Sequence, residues 1–479
     1  MMKVATKEAR GRKAFAAAIA ACACSVCLFS AFAADAEGFG AAESAGAVFW
    51  PEPSRDAMPW ANNWWISCDV DEPGLEYQFS ELADKGFGGV RVVPLGEAAQ
   101  ASRADAGEPS AKWKEACALA ERKAREYGLG IVFDAGFAPP PGVCCGGNSC
   151  ETPAQVKADA DAIFLSGFAT VCYCGFCYSS IDAAWPGWSF SAPLEMGPRN
   201  PLWREIGAVN AYLTRCQAMF LEWERDDTFR PDAAEGAFGS AGVLATRWRN
   251  KNDGKIMYFA VNTGETPVEI RSDAPFTVMN PMSGMVRATG RVRLEAKHSR
   301  FLIGDGFSAS ESGALNLPVA AAVEGPWRVE PLQGGPAMPA VRILKRLDSD
   351  AGWEAWDDSF SGTMLYSAVF DCDPEARLLD LGDVREIARV RLNGLDLGVR
   401  FMKPYRFFLP PGLLKEKGNT LEVEVTGTGA NRLRWSAATG AGLRHFTAAG
   451  AEKHDAPDLA AAAWRVSRSG LLGPVAVLK

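Results

Sequence analysis

The sequence predicts a multidomain protein in which an α/β region is followed by all-β regions. Strand-like and helix-like segments alternate between residues 49 and 226, whereas after residue 238 short strands follow one another with a turn about every ten residues. The chain has 479 residues, and a prior of about 150 residues per domain suggests roughly three domains.

The composition is that of a globular protein with an acidic surface. Hydrophobic residues make up 48% and charged residues 23% of the chain, and the formal net charge is −8. A negative protein has no electrostatic basis for binding nucleic acid or anionic lipid. After the N-terminal segment, no apolar run reaches the roughly 18 residues that a spanning helix needs. The 15 tryptophans suit both core packing and stacking on sugar rings.

Residues 1–34 are predicted to be a signal peptide. A basic stretch with Lys3 and Lys7 precedes an apolar run from Ala14 to Ala33, and Ala31-Phe32-Ala33 fits a signal-peptidase site. The protein is therefore expected in the periplasm, on the cell surface or outside the cell. The run Ile19-Ala20-Ala21-Cys22 also resembles a lipobox, so lipidation at Cys22 is the alternative.

The α/β region is predicted at residues 48–228 and contains four βα units. Their strands are predicted at 64–70, 90–95, 130–134 and 169–178, and their helices at 73–85, 111–127, 152–166 and 201–224. Ser110 and Thr152 are predicted helix N-caps. Repeated βα units imply a parallel sheet, but a closed barrel has eight strands. The prediction is therefore a partial (β/α) barrel, unless further strands escape the pattern.

Residues 236–306 are predicted to form a small antiparallel β-sandwich, residues 307–322 a linker rich in Ser, Ala and Gly, and residues 323–479 a last β domain. Asn393-Gly394 stands between two alternating apolar runs, and both residue types tolerate positive φ. A hairpin turn is therefore predicted there, and Asn419 marks a similar turn.

Six cysteines are crowded into residues 144–177: Cys144, Cys145, Cys150, Cys172, Cys174 and Cys177. In an exported chain, at least one disulfide between the 144–150 and 172–177 groups is the first interpretation. The spacing Cys172-x-Cys174-x-x-Cys177 would also suit zinc, although a second CxxC is missing. Buried free thiols are the third interpretation.

The last region contains a series of motifs after residue 359. They are Phe360-Ser361-Gly362-Thr363, Leu379-Asp380-Leu381-Gly382-Asp383-Val384, Val390-x-Leu392-Asn393-Gly394, Lys403-Pro404-Tyr405, Gly418-Asn419-Thr420-Leu421, Asn431-Arg432-Leu433 and Gly470-Leu471-Leu472-Gly473-Pro474-Val475. Together they resemble the sugar-binding jelly roll of glycoside hydrolase family 2 and of the α-L-rhamnosidases of glycoside hydrolase family 106. Upstream, Trp64-Trp65, Gly86-Phe87-Gly88-Gly89-Val90, Asn280-Pro281-x-x-Gly284 and residues 199–217 are similar to the rhamnosidase pattern. The resemblance covers nearly all of residues 48–479.

The resemblance implies a galactose-binding-like jelly-roll β-sandwich at residues 323–479 and an α-L-rhamnosidase-like hydrolase acting on a rhamnose-containing poly- or oligosaccharide. Members of the family are usually far longer. This chain passes from the fourth βα unit directly to the helix that ends the barrel, without the middle segment where the family's catalytic glutamates are expected. Activity is therefore expected to be weak or lost.

Carboxylates near the carboxyl ends of the predicted strands are the candidate catalytic groups. Inverting hydrolysis needs an acid and a base on opposite faces of the sugar, and barrel enzymes carry their chemistry at strand carboxyl ends. Asp134 and Glu195 are the catalytic candidates. The candidate sugar contacts are Trp65, Asp69, Glu97, Trp185 and Trp188.

The loop Trp185-Pro186-Gly187-Trp188 has two interpretations: its indoles stack on pyranose rings, or they plug the incomplete barrel. No serine-hydrolase elbow, phosphate loop or HExxH motif is present, and the chain has only three histidines. The residues predict no metal site and require no cofactor, and retention of a calcium ion is left open.

Three functions are carried forward. The first is an α-L-rhamnosidase-like hydrolase, the second a glycan-binding pseudoenzyme, and the third a structural module of a surface complex.

Overall fold

The structure is a computed structural model. It describes residues 49–66, 68, 70–94, 110–133, 143–145, 152–173, 201–229, 238, 242–348, 352–439, 445–447, 450–452 and 465–479. Over these residues the fold is mixed, with few helices and many antiparallel sheets.

The α/β region is built on one parallel sheet. Its strands are β1 (Trp60–Ile66), β2 (Gly89–Pro94), β3 (Gly130–Phe133), β4 (Val143–Cys145) and β5 (Val171–Tyr173). They lie in the order β3-β2-β1-β5-β4, and every pairing is parallel. The predicted parallel sheet is confirmed. The partial barrel is not, because no pairing among the described residues joins β3 to β4.

Four helices accompany this sheet: α1 (Glu72–Asp84), α2 (Ala111–Glu126), α3 (Pro153–Leu165) and α4 (Pro201–Glu222). Each lies where the sequence predicts it. Ser110 and Thr152 accept hydrogen bonds from the main-chain N–H of Trp113 and Gln155, so the predicted N-caps are confirmed. Helix α1 begins one residue earlier than predicted, after an Asp71 cap.

One predicted strand has different bounds in the structure, and one strand of the structure has no counterpart in the prediction. β1 begins at Trp60 rather than Trp64 and ends at Ile66, because the pair Asn62-Asn63, of low β propensity, lies inside the strand. β4 was not predicted: its three residues, Val143–Cys145, are too few to give a periodic signal.

Close contact between strands explains Gly89, of the motif at residues 86–90, and Gly130. A Cβ on Gly89 would lie 2.5 Å from the carbonyl oxygen of Gly130, and a Cβ on Gly130 would lie 2.4 Å from the Trp60 ring. Only hydrogen fits at both positions, so β2 and β3 approach each other closely beneath the indole.

The register of β4 and β5 bears on the cysteine cluster. Cys144 lies opposite Cys172, and Cys145 opposite Tyr173. Neighbouring strands are roughly 4.8 Å apart, within the Cα separation that a disulfide allows. The remaining three cysteines of the cluster lie outside the described residues. The disulfide stays a prediction, and Cys144 with Cys172 is the pair that the backbone favours.

The strands of the next region are hydrogen-bonded into one seven-stranded antiparallel sheet. Its strands are β6 (Trp223–Arg225), β7 (Val243–Asn250), β8 (Ile256–Asn262), β9 (Val268–Met279), β10 (Val286–Leu294), β11 (Ser299–Ile303) and β12 (Phe307–Glu311). The order is β10-β9-β11-β8-β7-β6, with β12 paired to β9. The 12-residue strand β9 pairs with β10, β11 and β12. All seven strands are therefore connected by main-chain hydrogen bonds.

Both faces of the seven-stranded sheet are buried. Phe259, Met279 and Phe301 join a core that includes Phe164 of α3 and Phe220 of α4. The opposite face forms a separate cluster around Tyr258, Ile270 and Phe307. The sheet is therefore fixed to the helices of the α/β region by aromatic packing.

The C-terminal region is a β-sandwich. Its strands are β13 (Val319–Ala322), β14 (Trp327–Gly335), β15 (Arg342–Leu344), β16 (Ser361–Phe370), β17 (Leu378–Asp380), β18 (Asp383–Arg385), β19 (Ile387–Leu392), β20 (Leu395–Arg400), β21 (Arg406–Phe408), β22 (Asn419–Thr426), β23 (His445–Thr447), β24 (Gly450–Glu452), β25 (Gly470–Gly473) and β26 (Ala476–Leu478), with helix α5 (Ala430–Thr439).

A six-stranded sheet, β15-β14-β16-β22-β19-β20, and a four-stranded sheet, β13-β26-β17-β21, enclose the core of this sandwich. Val390 and Val423 from the first sheet meet Leu379 and Val477 from the second, all fully buried. The segment expected to be a linker, 307–322, instead contains β12 and β13, each paired in a sheet. Short side chains made these strands look like a linker in the sequence.

The predicted hairpin at Asn393-Gly394 is confirmed. Both residues have positive φ, 51° and 83°, and the turn joins β19 to β20. The Asn393 amide donates to the Leu413 carbonyl and to the Asn419 side chain, and Asn419 is fully buried. These residues therefore hold the turn, in agreement with the structural role that turn geometry predicts.

Helix α4 contacts all the other parts of the fold. Glu205, 4% exposed, accepts a hydrogen bond at 2.8 Å from Arg389 of β19, and Arg204 pairs with Glu424 of β22. On the other side, Arg215 donates to the carbonyl of Pro281 in the turn before β10. The helix therefore connects the α/β region, the seven-stranded sheet and the C-terminal sandwich.

A buried polar network holds α3 and α4 against β11. Lys157 and Asp161 of α3 form an ion pair at 2.5 Å, and both side chains are less than 5% exposed. The Tyr212 hydroxyl donates to Asp161 and lies 2.8 Å from the Ser299 hydroxyl, while Lys157 also donates to the Lys297 carbonyl. Burial raises the pKa of Asp161, although Lys157 and the hydroxyl donor oppose this.

Replacing Lys157 with Met is expected to lower the free energy of unfolding by about 3–5 kcal/mol, because Asp161 would remain as a buried carboxylate without its cation. The double variant Lys157→Met/Asp161→Leu removes both charges and should be markedly more stable than the single variant. Urea unfolding followed by circular dichroism measures both. Lys112→Met, on the exposed face of α2, is the matched control and should change stability by less than about 0.5 kcal/mol. Equal stability of the single and double variants would contradict this account.

Candidate functional site

The carboxyl-terminal edge of the parallel sheet is the candidate site. Because all five strands run in the same direction, their carboxyl ends lie at one edge. The last residues of the strands at this edge are Ile66, Pro94, Phe133, Cys145 and Tyr173. A parallel sheet places at this edge the segments that carry chemistry in α/β proteins.

The predicted site residues follow these strand ends in the sequence. Trp65 is the second-last residue of β1, opposite Val93 of β2. Asp69 and Glu97 each come three residues after a strand, and Asp134 comes immediately after β3. Glu195 lies in the segment between β5 and α4.

Of the predicted site residues, only Trp65 lies among the described residues, by its backbone. The other six lie outside them: Asp69, Glu97, Asp134, Trp185, Trp188 and Glu195. The structure therefore establishes the common edge from which their segments start, and their roles stay predictions.

The elements behind this edge are firmly held. β1 is the central strand, with β2 on one side and β5 on the other. The Val171 N–H of β5 donates to the fully buried Gln217 side chain of α4, at 3.2 Å. Trp113 of α2 contacts the Phe133 ring at the end of β3. The strand ends are thus positioned by helices packed on the sheet.

His298 marks a second polar region, where the seven-stranded sheet meets the C-terminal sandwich. Its Nε2 lies 2.9 Å from the Lys403 carbonyl, which can only accept, so Nε2 carries the proton. Burial lowers the pKa of His298 to about 3, and the positive charges of Arg300, Lys157 and Arg400 add to the effect. The imidazole is therefore neutral at physiological pH.

The His298 environment predicts a loss of stability in acid. The folded pKa of about 3 lies below the ordinary value of 6.5, so unfolding takes up a proton between these values. Stability should therefore be full above pH 6.5 and fall as the pH drops towards 3. At pH 5, the wild type should take up about one proton more on unfolding than His298→Gln, whose amide can still donate to Lys403.

Urea unfolding of both proteins at half-unit steps from pH 7.5 to 5 measures this difference. Identical pH slopes for the wild type and His298→Gln would show that His298 is not held neutral by the fold.

Sequence reasoning gave no role to Lys157, His298 or Arg300. His298 and Arg300 stand in a short polar run, 297–300, that carries no motif. Lys157 is 140 residues away from Lys297, whose carbonyl it contacts. No local spacing could have revealed them. Within the described residues, no group of three or more His, Cys, Asp or Glu side chains could hold a metal ion. No helix of that part of the chain is long and apolar enough to cross a membrane.

The fold is similar to that of a solved rhamnosidase. The rhamnosidase from Novosphingobium sp. matches with a TM-score of 0.51 and 15% identity, over 75% of this chain and 54% of that chain. The chain thus spans about half the length of that rhamnosidase. At this identity the likeness concerns the fold.

Two further solved glycosidases match less extensively. The GH2 β-galacturonidase from Eisenbergiella tayi has a TM-score of 0.19 and 18% identity, covering 29% of this chain and 24% of that chain. The GH30 endoxylanase from Clostridium papyrosolvens has a TM-score of 0.22 and 13% identity, covering 54% of this chain and 98% of that chain. No protein-family model and no curated protein matches the chain.

Proposed function

We propose that this protein is an exported, glycan-binding relative of the α-L-rhamnosidases that acts on rhamnose-containing polysaccharide with weak or lost hydrolytic activity. The observation that carries the proposal is the parallel sheet, whose five carboxyl ends meet at one edge in a fold similar to that of a rhamnosidase. The signal-like N-terminus supports export.

The strand order supports a shortened barrel. β1, β2 and β3 are neighbours in chain order, and β5, the strand before α4, pairs back with β1. In a closed barrel the last strand pairs with the first in this way. The described residues contain five parallel strands, against eight in a full barrel. The interruption falls between β3 and β4, the only neighbours of the barrel order that are not paired among the described residues.

An interrupted barrel favours binding over hydrolysis. Hydrolysis of a glycoside needs a general acid that stays protonated at neutral pH, and a water-excluded site raises its pKa. A sheet that stayed open between β3 and β4 would admit water, and a carboxyl group at this edge would then ionise. Sugar binding tolerates an open site, since stacking and hydrogen bonds need only one face of the ring.

Incubating the mature protein with an aryl α-L-rhamnoside and with rhamnose-containing pectin tests this proposal. Released rhamnose, followed by chromatography over hours, should be absent or very low, because the acid cannot be kept protonated. Asp134→Asn and Glu195→Gln, which remove the two candidate carboxylates, are assayed beside the wild type. Robust release that disappears in either variant would identify a compact hydrolase instead and overturn the loss of activity.

Glycan binding should depend on the tryptophan loop. Trp188→Ala is expected to cost about 1–3 kcal/mol of affinity for rhamnose-containing oligosaccharide, the range for burying an apolar side chain against a ring. Isothermal titration calorimetry measures the loss. Phe168→Ala is the matched control, because this aromatic is 44% exposed and precedes β5, at the opposite edge of the sheet. Equal affinities of the wild type and Trp188→Ala would favour the plugging interpretation of the loop.

A further inference from the structure

A cleft opens between the seven-stranded sheet and the C-terminal sandwich. It has a volume of ≈50 Å³ and is lined by Arg293 and Arg300 on one side and by Arg400 and Arg406 on the other. These arginines come from β10, β11, β20 and β21, so the cleft exists only in the folded protein.

The cleft is cationic in a protein whose net charge is −8. Its lining has four arginines and one carboxylate, Glu295, and His298 is neutral. Arg293 pairs with Glu295 and Arg406 pairs with Asp380, each at 2.7 Å. The excess positive charge is therefore that of Arg300 and Arg400, which attracts a bound anion.

The guanidinium groups are held in place by neighbouring carbonyls and rings. Arg400 donates to the carbonyls of Arg406 and Val399 and lies over the Phe407 ring, 5.1 Å from its centroid. Arg293 donates to the Gly313 carbonyl at 2.8 Å, and Arg300 is only 1% exposed. Preorganised donors lose little entropy when they bind a carboxylate.

The remainder of the lining is apolar: Met282, Leu315, Leu378, Phe401, Met402 and Phe408 contribute to it. A cleft of this volume holds about four water-sized groups, enough for a carboxylate and the adjoining ring atoms. A uronic acid carries a carboxylate next to a ring with an apolar C–H face. Its carboxylate suits the guanidinium groups of the cleft, and its ring suits the apolar side chains.

We propose that this cleft binds the carboxylate of a uronic-acid sugar, with the guanidinium groups on the carboxylate and the apolar residues against the ring. The choice of a sugar as the carrier of the carboxylate rests on the proposed glycan-binding function, whereas the anion site does not. The protein would then contact an acidic polysaccharide at two places, the edge of the parallel sheet and this cleft.

Calorimetric titration of the full-length mature protein with D-galacturonate, D-galactose and inorganic phosphate tests the proposal. Galacturonate should bind, galactose should bind at least about tenfold more weakly because it lacks the charged group, and phosphate should bind more weakly because it lacks the ring. Arg400→Met should weaken galacturonate binding about tenfold or more. Arg328→Met, an exposed arginine of β14 that pairs with Glu330, removes the same charge elsewhere and should leave binding unchanged.

Leu315→Glu is a second variant, for the case that Arg400→Met fails to fold. Leu315 lines the cleft from the loop between β12 and β13, where a substitution is tolerated best. The new carboxylate would repel the negatively charged ligand. Equal binding of galactose and galacturonate, tighter binding of phosphate, or an unchanged affinity in Arg400→Met or Leu315→Glu would overturn the proposal. Binding of a neutral rhamnose oligosaccharide should be unaffected by Arg400→Met, which separates failure of this site from failure of the proposed function.

Discussion

The ion pair between Lys157 and Asp161, with the hydroxyls of Tyr212 and Ser299, lies where α3, α4 and the start of β11 meet. Burying two charges is costly, and the cost is offset only when both ions and their remaining hydrogen-bonding groups are satisfied. Here the partners come from α3, α4 and the turn into β11, so the network is complete in one arrangement of these elements. We infer that it contributes specificity to the packing more than net stability.

The same junction determines the electrostatics of the neighbouring cleft. Lys157 and Arg300 lie close enough to His298 to help lower its pKa, and His298 reaches the Lys403 carbonyl of the C-terminal sandwich. The ion pairs of Glu205 and Glu424 tie α4 to the same sandwich. The hydrophobic core also continues across the regions, since Ile387 and Phe401 of the sandwich pack with the α/β core. The cleft therefore has rigid walls on both sides.

Much of the fold could be predicted from local pattern. The helix caps at Ser110 and Thr152, the hairpin at Asn393-Gly394 and the parallel arrangement of the βα units were predicted correctly, because each depends on residues close in sequence. Two strands were predicted incompletely. The start of β1 was placed after Asn62-Asn63, because asparagine is rare in strands, and the short strand β4 was missed. For the second region, turn spacing revealed antiparallel strands but not their order in the sheet.

For the candidate site, the sequence predicted only which segments of the chain take part, namely those that follow the strands of the parallel sheet. The sequence by itself determined that carboxylates and tryptophans follow the strands of a parallel sheet, since strand, turn and helix signals are local. The tertiary structure alone decided that β5 returns to pair with β1, that Tyr212 meets Asp161 and Ser299, and that four arginines from two regions line one cleft. The residues brought together are far apart in the chain, and their contacts depend on how whole sheets and helices pack. No periodicity or spacing in the chain encodes that packing.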